Sequence, residues 1–145
     1  MEQNEFKTDA LITVHAKQTL DDPEAEDISL VTQGRFYRRK DCYYISYDET
    51  EVTGMTGTRT TVKVGPDTVT VIRTGRYPST MEFEVGHRYR TIYRTDWGDL
   101  EFGVVTKSIH RSLDDRGGEL KVRYGLEVEH ARVSDNDLHI SIQSC

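Results

Sequence analysis

Apolar and polar residues alternate with a period of two from about Thr8 to the end of the chain, with short breaks. Residues 58–64, TRTTVKV, show the pattern cleanly. Thr58, Thr60, Val62 and Val64 fall on one face, and Arg59, Thr61 and Lys63 on the other. Strands send successive side chains to opposite faces, so this pattern predicts a sheet packed on one face and wet on the other. Strands are predicted over 8–20, 27–40, 41–51, 57–65, 68–76, 79–85, 87–95, 99–112, 119–133 and 137–144. The breaks carry turn chemistry: DDPEAED at 21–27, GPD at 65–67, Gly86, DWGD at 96–99, DDRGG at 114–118 and SDND at 134–137. Glycine and aspartate suit the backbone angles and local hydrogen bonds of turns. Short connections make neighbouring strands antiparallel. Residues 1–7 are polar and predicted to fray, which leaves 8–145 as one β domain.

Charge supplies a test of register. Pivoting residues 79–95 on Gly86 sets Phe83 opposite Tyr89 and Met81 opposite Thr91 inside. The same register sets Glu84 opposite Arg88 and Glu82 opposite Arg90 outside. Pivoting the next hairpin on DWGD sets Tyr93 opposite Phe102 and Arg94 opposite Glu101. These pairs predict a local meander of three consecutive strands. About ten strands in a meander must split into a sandwich or close, and closure removes aggregation-prone edges. The long strands 99–112 and 119–133 favour a closed barrel. A barrel of about 8–10 strands is near the size at which the interior holds one small ligand.

Composition narrows the function classes. The chain has 145 residues and a net charge of −6, from 19 basic and 25 acidic side chains. A net acidic protein is a poor match for phosphate backbones, so no nucleic-acid partner is expected, despite the basic run Arg35–Lys40. No stretch approaches the ~20 apolar residues of a spanning helix, and no membrane role is expected. The N-terminus lacks the basic and apolar regions of a signal peptide. Cys42 and Cys145 alone make no disulfide framework, so a cytoplasmic location is expected.

The run Cys42-Tyr43-Tyr44-Ile45-Ser46-Tyr47-Asp48-Glu49 is followed by Gly57-Thr58 through Val64 and by Val71-Ile72-Arg73-Thr74-Gly75. Met81-Glu82-Phe83, Tyr93-Arg94-Thr95-Asp96-Trp97-Gly98 and Leu120-Lys121-Val122-Arg123-Tyr124 come later. In order and spacing this series, over residues 8–144, resembles the YwiB-like family of small bacterial proteins. The resemblance implies a calycin-like, lipocalin-like β-barrel and brings no established activity, cofactor or catalytic residue. True lipocalins carry an early Gly-x-Trp; here it is missing, and the one tryptophan, Trp97, falls in a turn. The expected fold is thus all-β: a single closed antiparallel calycin-like barrel, mostly meander.

Arg73 is the sharpest candidate for function. It continues the inward phase of Val69 and Val71, and matching Val64 to Val69 across the GPD turn sets Thr60 opposite it. An inward guanidinium must be paired or solvated. Glu49, in phase with Tyr43, Ile45 and Tyr47, is one partner within reach. Arg73 then either binds an anionic head group or forms a structural ion pair. Of eight tyrosines, Tyr43, Tyr47, Tyr89, Tyr93 and Tyr124 fall on the inner face, with Phe83 and Phe102. They either line a cavity or fill the core. A cavity above about 300 Å³ lined by these tyrosines would mark the first case.

Other chemistry finds little support. His110 and His130 follow an inner phase but fall far apart, near Val122 and Phe102; His15 and His139 face outward, and His87 sits in a turn. No pair has a metal-ligand spacing, so no metal and no cofactor are expected. Ser108 and Ser112 share the phase of His110, which is not a triad. No catalytic residue is assigned. Trp97 is expected to cap the barrel. The leading reading is a non-enzymatic barrel that binds a small anionic, partly apolar ligand through Arg73, Thr60, Tyr47, Tyr89, Tyr93 and Tyr124. The alternative is a filled barrel acting as an interaction or assembly module, for instance as a homodimer. An enzyme pairing Arg73 with a tyrosine phenol ranks third.

Overall fold

The computed structural model describes residues 6–20, 26–76, 78–95 and 97–145; the side chains of residues 6, 7, 20, 26 and 93–95 lie outside that description. Ten strands are present: β1 (Phe6–Leu20), β2 (Glu26–Arg39), β3 (Cys42–Asp48), β4 (Thr58–Val64), β5 (Val69–Gly75), β6 (Ser79–Phe83), β7 (Arg88–Thr95), β8 (Gly98–Asp114), β9 (Gly117–Val128) and β10 (Ala131–Ser144). All join one antiparallel sheet in the order β6-β5-β4-β3-β2-β1-β10-β9-β8-β7. β1 lies mid-sheet, with Ile12 opposite Thr32 on β2 and Ile142 on β10. The sheet curls so that its edge strand β6 lies against β7 and β8. The result is a nearly closed barrel with one seam.

The alternation places its apolar face inward. Ile12, Phe36, Ile45, Val62, Val64, Phe83, Leu120 and Ile140 are fully buried or nearly so. Burying such side chains is worth roughly 1.5–3 kcal/mol each and drives the curl. One position on the inner face has no room for a side chain. A Cβ at Gly34 would stand 2.3 Å from the Ser46 carbonyl oxygen and 2.5 Å from Ile12 Cδ1. Ile12 occupies that space instead, and β2 approaches β3 closely there.

The predicted hairpin of 79–95 does not form. Gly86, at φ 88°, supplies the tight turn, with the His87 N–H donating to Glu84 O at 3.1 Å. The strands then part: β6 pairs with β5, β7 pairs with β8, and no ladder joins β6 to β7 among the described residues. A hydrogen bond from the Glu84 N–H to Thr106 Oγ1 at 3.1 Å ties the end of β6 to β8. The two charge pairs expected of that hairpin, Glu84–Arg88 and Glu82–Arg90, fail with it, and in the β7–β8 hairpin the register sets Arg94 opposite Asp99 rather than Glu101. Arg88 meets Glu127 at 3.1 Å, Arg90 meets Glu101 at 3.7 Å, and Glu84 meets His87 at 3.2 Å. Tyr93 stands opposite Leu100 rather than Phe102. Exposed ion pairs contribute about 0–1 kcal/mol, too little to choose a register.

An irregularity on β8 overturns the phase read for the end of that strand. Between Thr106 and Ser108 the register against β9 slips by one. Thr106 is buried, but beyond the slip Ile109 and Leu113 pack on the core, while Ser108, His110 and Ser112 are exposed. A one-residue shift moves every later side chain to the other face. A second irregularity lies between Arg132 and Ser134 on β10. The expected turn at SDND is continuous strand; the chain reverses at Glu129 and His130, both at positive φ (51° and 70°). His130 is exposed there, 3.3 Å from Glu101. Trp97 is 97% exposed and does not cap the barrel.

Candidate functional site

The interior divides into a filled end and a hollow end. At the filled end Phe36 stacks on Tyr43 with centroids 5.3 Å apart, and the Tyr43 hydroxyl donates to Asp115 at 3.1 Å. Arg38 reaches the same carboxylate at 3.2 Å, and Arg111 spans to the carbonyl of Gly65. Burial and the Asp115 carboxylate raise the Tyr43 pKa above its ordinary value. This end is core with a polar rim.

The hollow end holds a cavity of about 230 Å³. Its wall is mostly apolar: Val14 and Ala16 of β1, Leu30 of β2, Val62, Val71, Met81, Phe83, Leu138 and Ile140 all face it. Tyr124 joins them, its ring tilted against Phe83 at 4.7 Å. The polar groups gather at one end of the cavity. Tyr47, Glu49, Thr53 and Arg73 line it there, and Thr60 stands opposite Arg73 in the β4–β5 ladder.

Each member is placed by strand phase. Tyr47 extends the inward series of Tyr43 and Ile45 on β3, and Glu49 continues it one step past the strand. Glu49 stays in phase because its N–H donates to Thr58 O at 2.9 Å, prolonging the β3–β4 ladder. Arg73 follows Val69 and Val71 on β5. The Glu49 side chain is 2% exposed, and its Oε2 lies 3.8 Å from Arg73 Nε. Thr53 Oγ1 donates to Glu49 Oε1 at 2.9 Å, and Thr60 Oγ1 donates to Oε2. Thr60 also lies within hydrogen-bonding reach of Tyr47. Burial, then the charge of Glu49, push the Tyr47 phenol well above the usual tyrosine range; Arg73 and Thr60 offset this in part. Arg73 Nε is buried and lacks a hydrogen-bond partner among the described residues.

Four of the six sequence-derived site residues thus converge: Arg73, Thr60, Tyr47 and Tyr124. Tyr89 packs against the core opposite Val104 but does not line the cavity. The side chain of Tyr93 lies outside the described residues. The cavity is also smaller than the 300 Å³ expected of a tyrosine-lined chamber. Thr53 and Met55, from the connection between β3 and β4, line the cavity, and no strand phase reveals them. The register brings His15 directly opposite His139 on the outer face, which sequence spacing does not show. Each ring engages a carboxylate, His15 that of Asp27 and His139 that of Glu119 at 2.8 Å. Among the described residues no group of three or more metal-ligating side chains converges, and no helix is long and apolar enough to cross a membrane.

Fold and interior together define a ten-stranded, nearly closed antiparallel β-barrel with a small apolar chamber that is polar at one end. The family model described as "Domain of unknown function (DUF1934)" matches residues 12–140, and the chain belongs to that family. It is 32% identical over 124 residues to the "Uncharacterized beta-barrel protein YwiB" of Bacillus subtilis (strain 168), covering 85% of this chain and 86% of that protein. The crystal structure of the ywiB protein from Bacillus subtilis superposes with a TM-score of 0.77 at 24% identity, over 96% of this chain and 93% of the other.

Proposed function

We propose that the barrel binds a small molecule with an apolar body, received in the hollow end with its polar head against Arg73. The supporting observation is the Nε of Arg73, a buried donor without an acceptor among the described residues, at the polar end of an apolar chamber. A buried donor left unmade costs about 1–3 kcal/mol, which a ligand acceptor would recover. Tyr47 borders that head group, Thr60 supports it through its bond to Glu49, and Tyr124 lines the apolar wall beside Phe83. The chamber limits size. A dry cavity of about 150 Å³ holds benzene, so 230 Å³ scales to a ligand of roughly nine non-hydrogen atoms.

Native mass spectrometry of the protein purified from its own host tests this. The expected result is a small-molecule adduct that is lost from Arg73→Ala. Bare protein in both samples would count against ligand binding. A dimer mass would support the other reading, an interaction module. That reading leans on Ile92 and Leu100 of the β7–β8 hairpin, which are 61% and 37% exposed.

A further inference from the structure

We propose that the head group this site accepts is uncharged, one acceptor beside one donor, as in a carboxamide or an alcohol, and not the anion that an inward arginine suggests. The inference rests on reading the hollow end as the binding site. Its basis is the inventory of charges and protons at the polar end.

Charge comes first. Arg73, its side chain 24% exposed, stands 3.8 Å from Glu49, which is 2% exposed. The two charges already balance. A ligand carboxylate placed on Arg73 would put a second anion beside Glu49 in a largely apolar chamber, where like charges repel strongly.

Protons come next. A buried carboxylate is stabilised by two or three donors. The Thr60 proton is committed to Glu49. The Thr53 proton is shared between Glu49 and the Thr50 carbonyl, at 2.9 and 3.1 Å. The Tyr47 phenol lies within hydrogen-bonding reach of Thr60. Among the described residues, Arg73 Nε is a buried donor at this end without a hydrogen-bond partner. Glu49, by contrast, keeps lone pairs, since each oxygen receives one threonine hydroxyl. The complementary head therefore accepts from Arg73 and donates to Glu49. The apolar body then lies along Val62, Val71, Phe83 and Leu138.

The test is a matched pair of probes, heptanamide and heptanoate, titrated at pH 7 and followed by amide chemical shifts. They share a shape and differ in charge, and each fits the size limit. Heptanamide is expected to bind at least about tenfold more tightly. Its shifts should map to β4, β5 and β6. Glu49→Gln removes the competing anion and should narrow or reverse the preference. Heptanoate binding as tightly as the amide to the unaltered protein would overturn the inference while leaving the binding reading intact. Absence of shifts at the cavity strands with either probe would overturn both. The comparison on the unaltered protein decides even where Glu49→Gln fails to fold.

Discussion

Tyr43 and Tyr47 share a strand and a face, yet they belong to different regions of the molecule. Tyr43 stacks on Phe36 and sends its hydroxyl to Asp115 at the rim. Tyr47 is buried beside a charged pair and borders empty space. Phase alone makes both inward. What separates them is what the neighbouring strands supply. Phe36 and Ile12 fill the space at one end, while Ala16, Val62 and Val71 leave it open at the other. A barrel of one strand number is thus both a packed core and a chamber, according to side-chain volume along its axis.

The sharpest way to break this comparison is truncation. Phe36→Ala should cost about 3–5 kcal/mol, because it opens a cavity in the filled end. Met81→Ala, at the wall of an existing cavity, should cost about 2 kcal/mol, at the low end of the usual range. Urea unfolding curves measure both. Equal losses would mean that the two ends are packed alike.

Addition of a methylene should separate two valines of one strand. Val64→Ile enters the filled end and should cost about 1–3 kcal/mol through overpacking. Val62→Ile extends into the chamber and should be near neutral, while weakening any ligand. Thermal midpoints of the two variants give the sign.

A smaller difference should appear in alkali. Both phenols are raised above 10.0, the value of an unperturbed tyrosine. A raised phenol favours the neutral form in the fold. Its stabilisation is complete below about pH 10 and is lost as pH climbs from there towards the folded value. Burial and Glu49 shift Tyr47 strongly. Tyr47→Phe should therefore flatten the alkaline limb of a stability–pH profile more than Tyr43→Phe does. The reverse order would place the more deeply desolvated phenol at the rim.

The least effect is expected outside the barrel. Arg90→Ala removes an exposed pair with Glu101 and should change stability by at most about 1 kcal/mol. A larger loss would show that such pairs do help to choose the register.

Where strands are short and uninterrupted, alternation carried enough information to place side chains. On β3, β4 and β5 it put Tyr47, Thr60 and Arg73 together, and it named Glu49 as the partner within reach. On β9 and β10 it also placed Tyr124 inward and His139 outward, but on β8 it failed. The bulge near Lys107 inverts the phase of Ser108, His110 and Ser112, and nothing in their types announces an unpaired residue. The β9–β10 reversal uses Glu129 and His130, which lack the usual turn chemistry, whereas the turn-like SDND is held straight by the ladder to β9. Thr53 and Met55 reach the cavity from a connection, where no period applies. Opposite charges around Gly86 suggested a hairpin, because local complementarity cannot report on partners that arrive from elsewhere in the chain, such as Glu127.

The seam between β6 and β7 exchanges two kinds of break. Taken as a circle, the strand order runs without interruption from β7 through β10 to β1 and on to β6. The β10–β1 joint has no short peptide link but carries a long ladder, from Ala10–Ser144 to Leu20–Ser134. The β6–β7 joint has a tight peptide link and, among the described residues, no ladder. A circular permutant opened at Gly86 and joined across β10 and β1 would be a plain linear meander with its termini on the seam. Its longest-range pairing would become local, and it should fold faster than the natural order while keeping the same chamber.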